Sequence, residues 1–167
     1  MDALWAPWRM EFIEKGKPEG CIFCRFPAES GVEPDRRNLI VARSARSFAI
    51  LNRYPYNSGH LMVIPLRHTA DFAGLSDEES GDLHRLLRLS LKALHEIYRP
   101  DGYNVGMNLG RSAGAGIEEH LHYHVVPRWI GDTNFMPVLS ATKVMIESLG
   151  QAHDKLGPVF ARLQLQR

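Results

Sequence analysis

The densest chemical signal in the chain is His120-Leu121-His122-Tyr123-His124-Val125-Val126-Pro127-Arg128, where three histidines alternate with apolar or aromatic residues. Read as a strand, residues two apart share a face, so three imidazoles line one side and Leu121, Tyr123 and Val125 the other. Alternate side chains then sit about 7 Å apart, from a rise of ~3.3 Å per residue. That is close enough to share a substrate group or a water. An imidazole can attack phosphorus to form a covalent intermediate while a neighbour manages the leaving-group proton. Three histidines turned unpartnered into an apolar core would be costly. The plain structural alternative is an exposed polar sheet face. A glycine-rich loop, Gly110 to Gly116, feeds the run. Gly110, Gly114 and Gly116 let backbone N–H groups converge on an anion, which fits a phosphate held beside an imidazole.

The second signal is Cys21-Ile22-Phe23-Cys24, which holds both cysteines of the chain. By itself this spacing suits a redox pair, half of a metal site, or two buried thiols. A redox pair normally opens a helix in a βαβ unit, a setting the surrounding pattern lacks. A zinc site needs two further ligands, and only histidines are on offer. His120 and His122 also have a metal-ligand spacing, so a hydrolytic metal on the histidine run stays open. Chelators would stop that chemistry and spare a covalent histidine mechanism until the fold loosens.

Composition narrows the setting. The chain has 167 residues, with 20 Lys or Arg against 19 Asp or Glu and a formal net charge of +1. That balance removes the uniform basic field of a nucleic-acid coat. Fractions of 44% hydrophobic and 23% charged residues fit a globular domain, not a disordered chain. No run approaches the ~20 apolar residues of a membrane helix. Met1-Asp2-Ala3-Leu4-Trp5 does not follow the pattern of a signal peptide. The expectation is a cytoplasmic protein with no nucleic-acid or membrane partner. Length points to one domain over residues 1–167. Within it, 1–20 is an N-terminal arm folded back through Trp5 and Trp8, 21–130 is the core, and 131–167 is a C-terminal extension.

The elements that must position these residues are also readable. Residues 28–38, with Gly31 and Pro34, read as a surface loop. Asn38 to Ala42 and Ser47 to Leu51 read as a hairpin. Asn52 to Gly59 is loop chemistry, and His60 to Leu66 is an apolar strand with Pro65 at its end. Ser76 and Glu79 form a capping-box pattern that opens a helix from about Asp77 to Arg99, striped by Leu83, Leu86, Leu87, Leu91, Leu94 and Ile97. Tyr103 to Asn108 and His120 to Arg128 are strands, and Ser140 to Leu165 is largely helical, with Gly157-Pro158 expected to break or kink it. His84, His95 and His153 are given no role. This order implies an α+β domain with a mainly antiparallel sheet.

On these residues the chain resembles the histidine-triad nucleotide hydrolases and transferases, whose signature is His-φ-His-φ-His-φ-φ. Asn52 followed by Ser58-Gly59-His60-Leu61-Met62-Val63-Ile64-Pro65 is similar to the family's Asn…Gly-His-hydrophobic-Pro segment. Asn108 then Gly110 is similar to its Asn/Gln-x-Gly step. Together these span residues 20–130. Leu4-Trp5-Ala6-Pro7-Trp8-Arg9-Met10 and the Pro127-Arg128-Trp129…Gly131-Asp132-Thr133-Asn134-Phe135-Met136-Pro137 segment look like the bacterial branch that includes diadenosine tetraphosphate phosphorylases.

The resemblance implies a fold with a five-stranded, mainly antiparallel sheet, one long central helix and a C-terminal helical tail. It implies a homodimer that cleaves dinucleoside polyphosphates at the α-phosphate. His122 would be the nucleophile, forming a nucleotidyl-histidine, with the carbonyl of His120 holding its other ring nitrogen and His124 bonding to the phosphate region. Asn52 would contact the ribose, and His60 would border the nucleotide pocket. Asn108, Ser112, Gly114 and Gly116 would orient the α-phosphate. Trp129 would stack on a base, though a core or interface role suits it equally. As in galactose-1-phosphate uridylyltransferases, Cys21, Cys24, His68 and His120 would hold a structural zinc; no organic cofactor is implied. Water as acceptor gives a hydrolase and inorganic phosphate a phosphorylase. The phosphorylase-type loop can carry a Gly-Ser pair where this chain has Ala115-Gly116, which leaves the acceptor open. Two rival functions are a nucleoside phosphoramidate hydrolase and a nucleotide-binding sensor or scaffold with incidental catalysis.

Overall fold

Apolar runs of four to six residues pair into one antiparallel sheet in the order β1-β2-β3-β5-β4. The strands are β1 (Ile40–Arg43), β2 (Ser47–Leu51), β3 (Leu61–Pro65), β4 (Gly102–Met107) and β5 (Tyr123–Arg128). The computed structural model describes residues 20–132 and 145–166. Strands β2 and β3 are buried along their whole length, which is why they read as continuous apolar runs and not as alternating ones. Pro65 closes β3, where its missing N–H costs no ladder bond.

The long helix α3 (Asp77–Tyr98) follows the sequence pattern closely. Its capping box is complete: Glu79 N–H donates to Ser76 Oγ at 3.3 Å, and Ser76 N–H donates to Glu79 Oε2 at 2.9 Å. Leu83, Leu86, Leu89, Ala93 and Leu94 bury one face. Asp82 on the same helix takes hydroxyl bonds from Ser44 at 2.7 Å and Ser47 at 2.6 Å, and an amide bond from Arg46 at 3.1 Å. One carboxylate thus pins the β1–β2 turn to the helix.

Where a loop was expected over 28–38, a short helix α2 (Val32–Asn38) stands, and another, α1 (Ile22–Ala28), precedes it. Their stability is tertiary, so local pattern did not show it. The Arg43 guanidinium reaches back to the carbonyls of Pro27 at 2.8 Å and Glu29 at 2.6 Å and forks onto the Asp35 carboxylate. Helix α4 (Leu149–Leu165) packs on α3 and β1 and runs through Pro158 without the expected break. Buried Leu156, Val159 and Phe160 hold it against the body. The earlier part of that predicted helix, residues 140–144, lies outside the described residues, as does the Trp5–Trp8 arm. Among the described residues, no helix is long and apolar enough to cross a membrane.

The largest departure concerns the histidine run. Strand β5 begins at Tyr123, not His120. Leu121 N–H donates to Thr69 O at 2.8 Å, and the His120 ring bonds Pro65 O at 2.8 Å. The segment 120–122 is therefore tied to the end of β3 and the loop after it, outside the ladder.

Gly59 fixes how the chain enters β3. Its φ of +74° suits glycine, and a Cβ there would lie 2.8 Å from Tyr98 Cε2 and 3.0 Å from Leu94 Cδ2. Gly59→Ala is expected to cost about 2–4 kcal/mol, from strain plus overpacking. Thermal denaturation should show a melting temperature about 5–10 °C lower; an unchanged value would contradict this packing.

Candidate active site

Four histidines meet at the junction of β3 and β5. His60 and His120 are buried completely or nearly so, at 0% and 1% exposure, and His122 at 4%. The expected alternative of an exposed polar sheet face is thus not what the chain forms. The burial is tolerated because ring nitrogens find partners. His122 Nδ1 lies 2.9 Å from the His120 carbonyl, so Nδ1 carries the proton and Nε2 keeps a lone pair. The rings of His122 and His124 are 5.0 Å apart, and Phe23 of α1 packs 5.3 Å from His122 and 5.6 Å from His120. Burial lowers the pKa of His122, against the opposing bond to His120 O, so the ring stays neutral in ordinary buffers.

A chain of forced tautomers runs behind it. Tyr56 N–H donates to His60 Nδ1 at 3.0 Å, which makes that nitrogen an acceptor. Neutral His60 then carries its proton on Nε2, 3.0 Å from His124 Nδ1. His124 in turn keeps its proton on Nε2. Asn52 Nδ2 sits 3.5 Å from His60 Nδ1 while its Oδ1 accepts Tyr54 N–H at 3.0 Å. Burial, then the nearby His122, pushes the His124 pKa down to about 4.

The other face of His120 joins the cysteines. Its Nδ1 is 3.3 Å from Cys21 Sγ, 3.6 Å from Cys24 Sγ and 3.3 Å from His68 Nδ1. Cys24 Sγ is 3.3 Å from His68 Nδ1. The four ligand atoms all lie within 4.8 Å of one another, a set that could hold one metal ion. His120 Nε2–H donates to Pro65 O, which leaves Nδ1 as the lone-pair donor. Both ring nitrogens of His120 are thereby engaged, which leaves neither for a hydrolytic metal shared with His122. The Cys21-x-x-Cys24 pair also opens a helix after all, with Cys21 at the N-cap of α1.

Comparison with known proteins agrees with this geometry. The HIT domain model matches residues 33–129. The chain belongs to the HIT domain family. It is 39% identical to an AP-4-A phosphorylase of Mycobacterium tuberculosis over 170 aligned residues, covering 97% of this chain and 86% of that protein. It is 36% identical to an adenosine 5'-monophosphoramidase of Schizosaccharomyces pombe, covering 65% of this chain and 74% of that one. Its fold matches a crystal structure of a Zn-bound histidine triad family protein from Mycobacterium smegmatis with a TM-score of 0.67, at 23% identity, over 88% of this chain and 97% of the other.

Around this HIT core the remaining expected residues scatter. Asn108 lines a cavity of about 490 Å³ together with His124. Ser112 lies in a 3₁₀ turn (Arg111–Ala113) that Gly114 closes, and Gly114 and Gly116 stay exposed on the same loop. Among the described residues, the loop's bonds stay within itself and none reaches the triad. Trp129 is half-buried just after β5, its N–H 3.3 Å from Asp132 Oδ2. Sequence reading missed Tyr56 and the Asn57–Asp132–Arg128 network. Asp132 takes Arg128 Nε at 2.6 Å and Asn57 Nδ2 at 2.8 Å. Tyr-Pro-Tyr between the ribose-type Asn52 and the Gly-His step was the available signal.

Because His124 binds its proton less readily when folded, the unfolded chain takes up more protons between about pH 4 and the ordinary histidine range near 6.5. Stability should fall as pH drops through that window, and His124→Asn should flatten the fall. Denaturant midpoints measured across the window check this; an unaltered slope in the variant would contradict it.

Proposed function

We propose that this HIT protein cleaves dinucleoside polyphosphates of the diadenosine tetraphosphate type at the α-phosphate, through a covalent nucleotidyl-His122. One observation carries the reading: His122 spends its Nδ1 proton on the His120 carbonyl, so Nε2 is a neutral, oriented nucleophile. Nε2 attacks the α-phosphorus in line, an N–P bond forms, and the bond to the bridging oxygen breaks. His124 offers its Nε2–H to that oxygen as charge builds on it, and His60 holds His124 in the tautomer that has this proton to offer. Asn52 contacts the ribose, Asn108 and the 112–116 loop orient the α-phosphate, and His60 borders the pocket. Water or inorganic phosphate then attacks the same phosphorus and returns the lone pair to Nε2.

The 39% identity to an AP-4-A phosphorylase over nearly the whole chain supports phosphate as acceptor. The monophosphoramidase relative supports a second reading, hydrolysis of nucleoside phosphoramidates at the same histidine. The homodimer belongs to the proposal as well: β4 ends the sheet, and the edge beyond it has no partner strand among the described residues.

Incubation with diadenosine tetraphosphate, with and without inorganic phosphate, separates the acceptors. ADP plus ATP only with phosphate means phosphorolysis; AMP plus ATP without it means hydrolysis. His122→Ala should lose at least about 10⁴-fold in turnover, as nucleophile deletions do. A variant near wild-type turnover would sink the assignment.

Zinc fits the Cys21–Cys24–His68–His120 set. Tetrahedral zinc with bonds of about 2.05 Å to nitrogen and 2.3 Å to sulfur has N–N edges of about 3.3 Å and N–S edges of about 3.6 Å. The observed 3.3–3.6 Å separations match those edges. Four protein ligands close the site, so zinc would supply a cross-link and no chemistry at the substrate. Cys21 and Cys24 would anchor α1, and with it Phe23, to the histidine segment. Purified protein should carry about one zinc per chain, and Cys24→Ser should lose the metal and melt at lower temperature. Metal-free protein of full thermal stability would refute it.

A further inference from the structure

The cavity beside His124 is unlike a phosphate site. It measures about 490 Å³, within the range of cavities that take nucleoside-sized ligands. Among the described residues, its charged lining residues are Arg128 and Asp132, which neutralise one another through two bonds, Nε to Oδ2 at 2.6 Å and a terminal guanidinium nitrogen to Oδ1 at 3.0 Å. The rest of the described lining is apolar, as at Met107 and Val126, or carboxamide, with the phenol ring of Tyr56 beside the His124 imidazole. Asn104 Oδ1 accepts a bond from the Arg128 guanidinium at 2.8 Å and its N–H groups remain donors, while Asn108 offers a carboxamide with both functions. Such a lining suits a flat, uncharged heterocycle and gives a polyphosphate no net positive charge.

The cavity also lies on one particular side of the triad. His124 lines it and His122 does not. A group displaced in line from phosphorus leaves on the side away from His122 Nε2, past the histidine that serves the departing oxygen. The Tyr56 ring stands there, 4.8 Å from the His60 ring and stacked 6.0 Å from His124 with an interplanar angle of 27°. The residue packs on the histidine pair and is still 42% exposed.

We infer that this cavity receives the base of the departing nucleoside polyphosphate, with Tyr56 as its stacking platform, so that Tyr56 selects dinucleotides over substrates with a small leaving group. The inference rests on the proposed dinucleotide cleavage. Base-on-aromatic stacking needs the ring and not the hydroxyl. Adenosine monophosphoramidate transfers the same adenylyl group but releases ammonia, so it never occupies the cavity.

The test is kcat/KM for diadenosine tetraphosphate and for adenosine monophosphoramidate in wild type, Tyr56→Ala and Tyr56→Phe. Removing the ring also uncovers the histidines, so Tyr56→Ala loses activity on both. The expected result is a loss about 10- to 100-fold larger on the dinucleotide than on the phosphoramidate, carried mainly in KM. Tyr56→Phe should restore the wild-type ratio between the two. Equal losses on both substrates would make Tyr56 a support for the histidines only and overturn the inference. Wild-type protein that turns over the phosphoramidate but not the dinucleotide would overturn the dinucleotide reading itself, before any variant is compared.

Discussion

The site depends on what His120 does with three of its groups. Its Nδ1 faces Cys21, Cys24 and His68, its Nε2–H is held by Pro65 O, and its carbonyl orients His122. Ring and carbonyl belong to one residue, so a displacement of the ring shifts the carbonyl too. The cysteine–histidine cluster, the end of β3 and the nucleophile are thereby joined through a single backbone unit. These attachments hold the segment up to His122, and the chain joins the β5 ladder only at Tyr123.

Burying three imidazoles and half-burying a fourth would ordinarily destabilise a domain this size. The chain avoids that penalty by direction. Each bond dictates the next tautomer, from the Tyr56 amide through His60 to His124, and from His122 back to the His120 carbonyl. None of these rings needs a charge to be satisfied, and low polarity around His122 and His124 keeps them neutral. The same burial that makes the histidines costly to fold leaves them in the neutral form that the proposed nucleophile and donor need near pH 7.

Much of this was legible in the residues. The capping box at Ser76 and Glu79, the span of β2, Pro65 at the end of β3 and the gathering of Cys21, Cys24, His68 and His120 all follow local pattern or family likeness. The failures share a cause. Helices α1 and α2 have seven residues each, too few for a periodic pattern to show, and Arg43, farther along the chain, holds them. The early end of the β5 ladder is decided by Thr69 and Pro65, and the continuity of α4 through Pro158 by the body beneath it. Tyr56 looked like loop chemistry because its ring meets His60 and His124 only once β3 and β5 pair. Short-range pattern carries information about elements and ligand types; it carries little about which distant side chain closes a contact.

Near-neutral composition also has a local meaning here. The cavity beside His124 balances Arg128 against Asp132, just as the whole chain balances 20 basic residues against 19 acidic ones. In the proposed reaction, the phosphates would be met by neutral N–H donors on histidine rings and backbone. The central claim is that His122 forms a bond to phosphorus, and the stereochemical course at the α-phosphorus tests it most directly. With substrate made chiral there by isotope or sulfur substitution, transfer through His122 involves two in-line displacements and returns product of retained configuration. Inverted product would mean direct attack by the acceptor and would contradict a nucleotidyl-histidine.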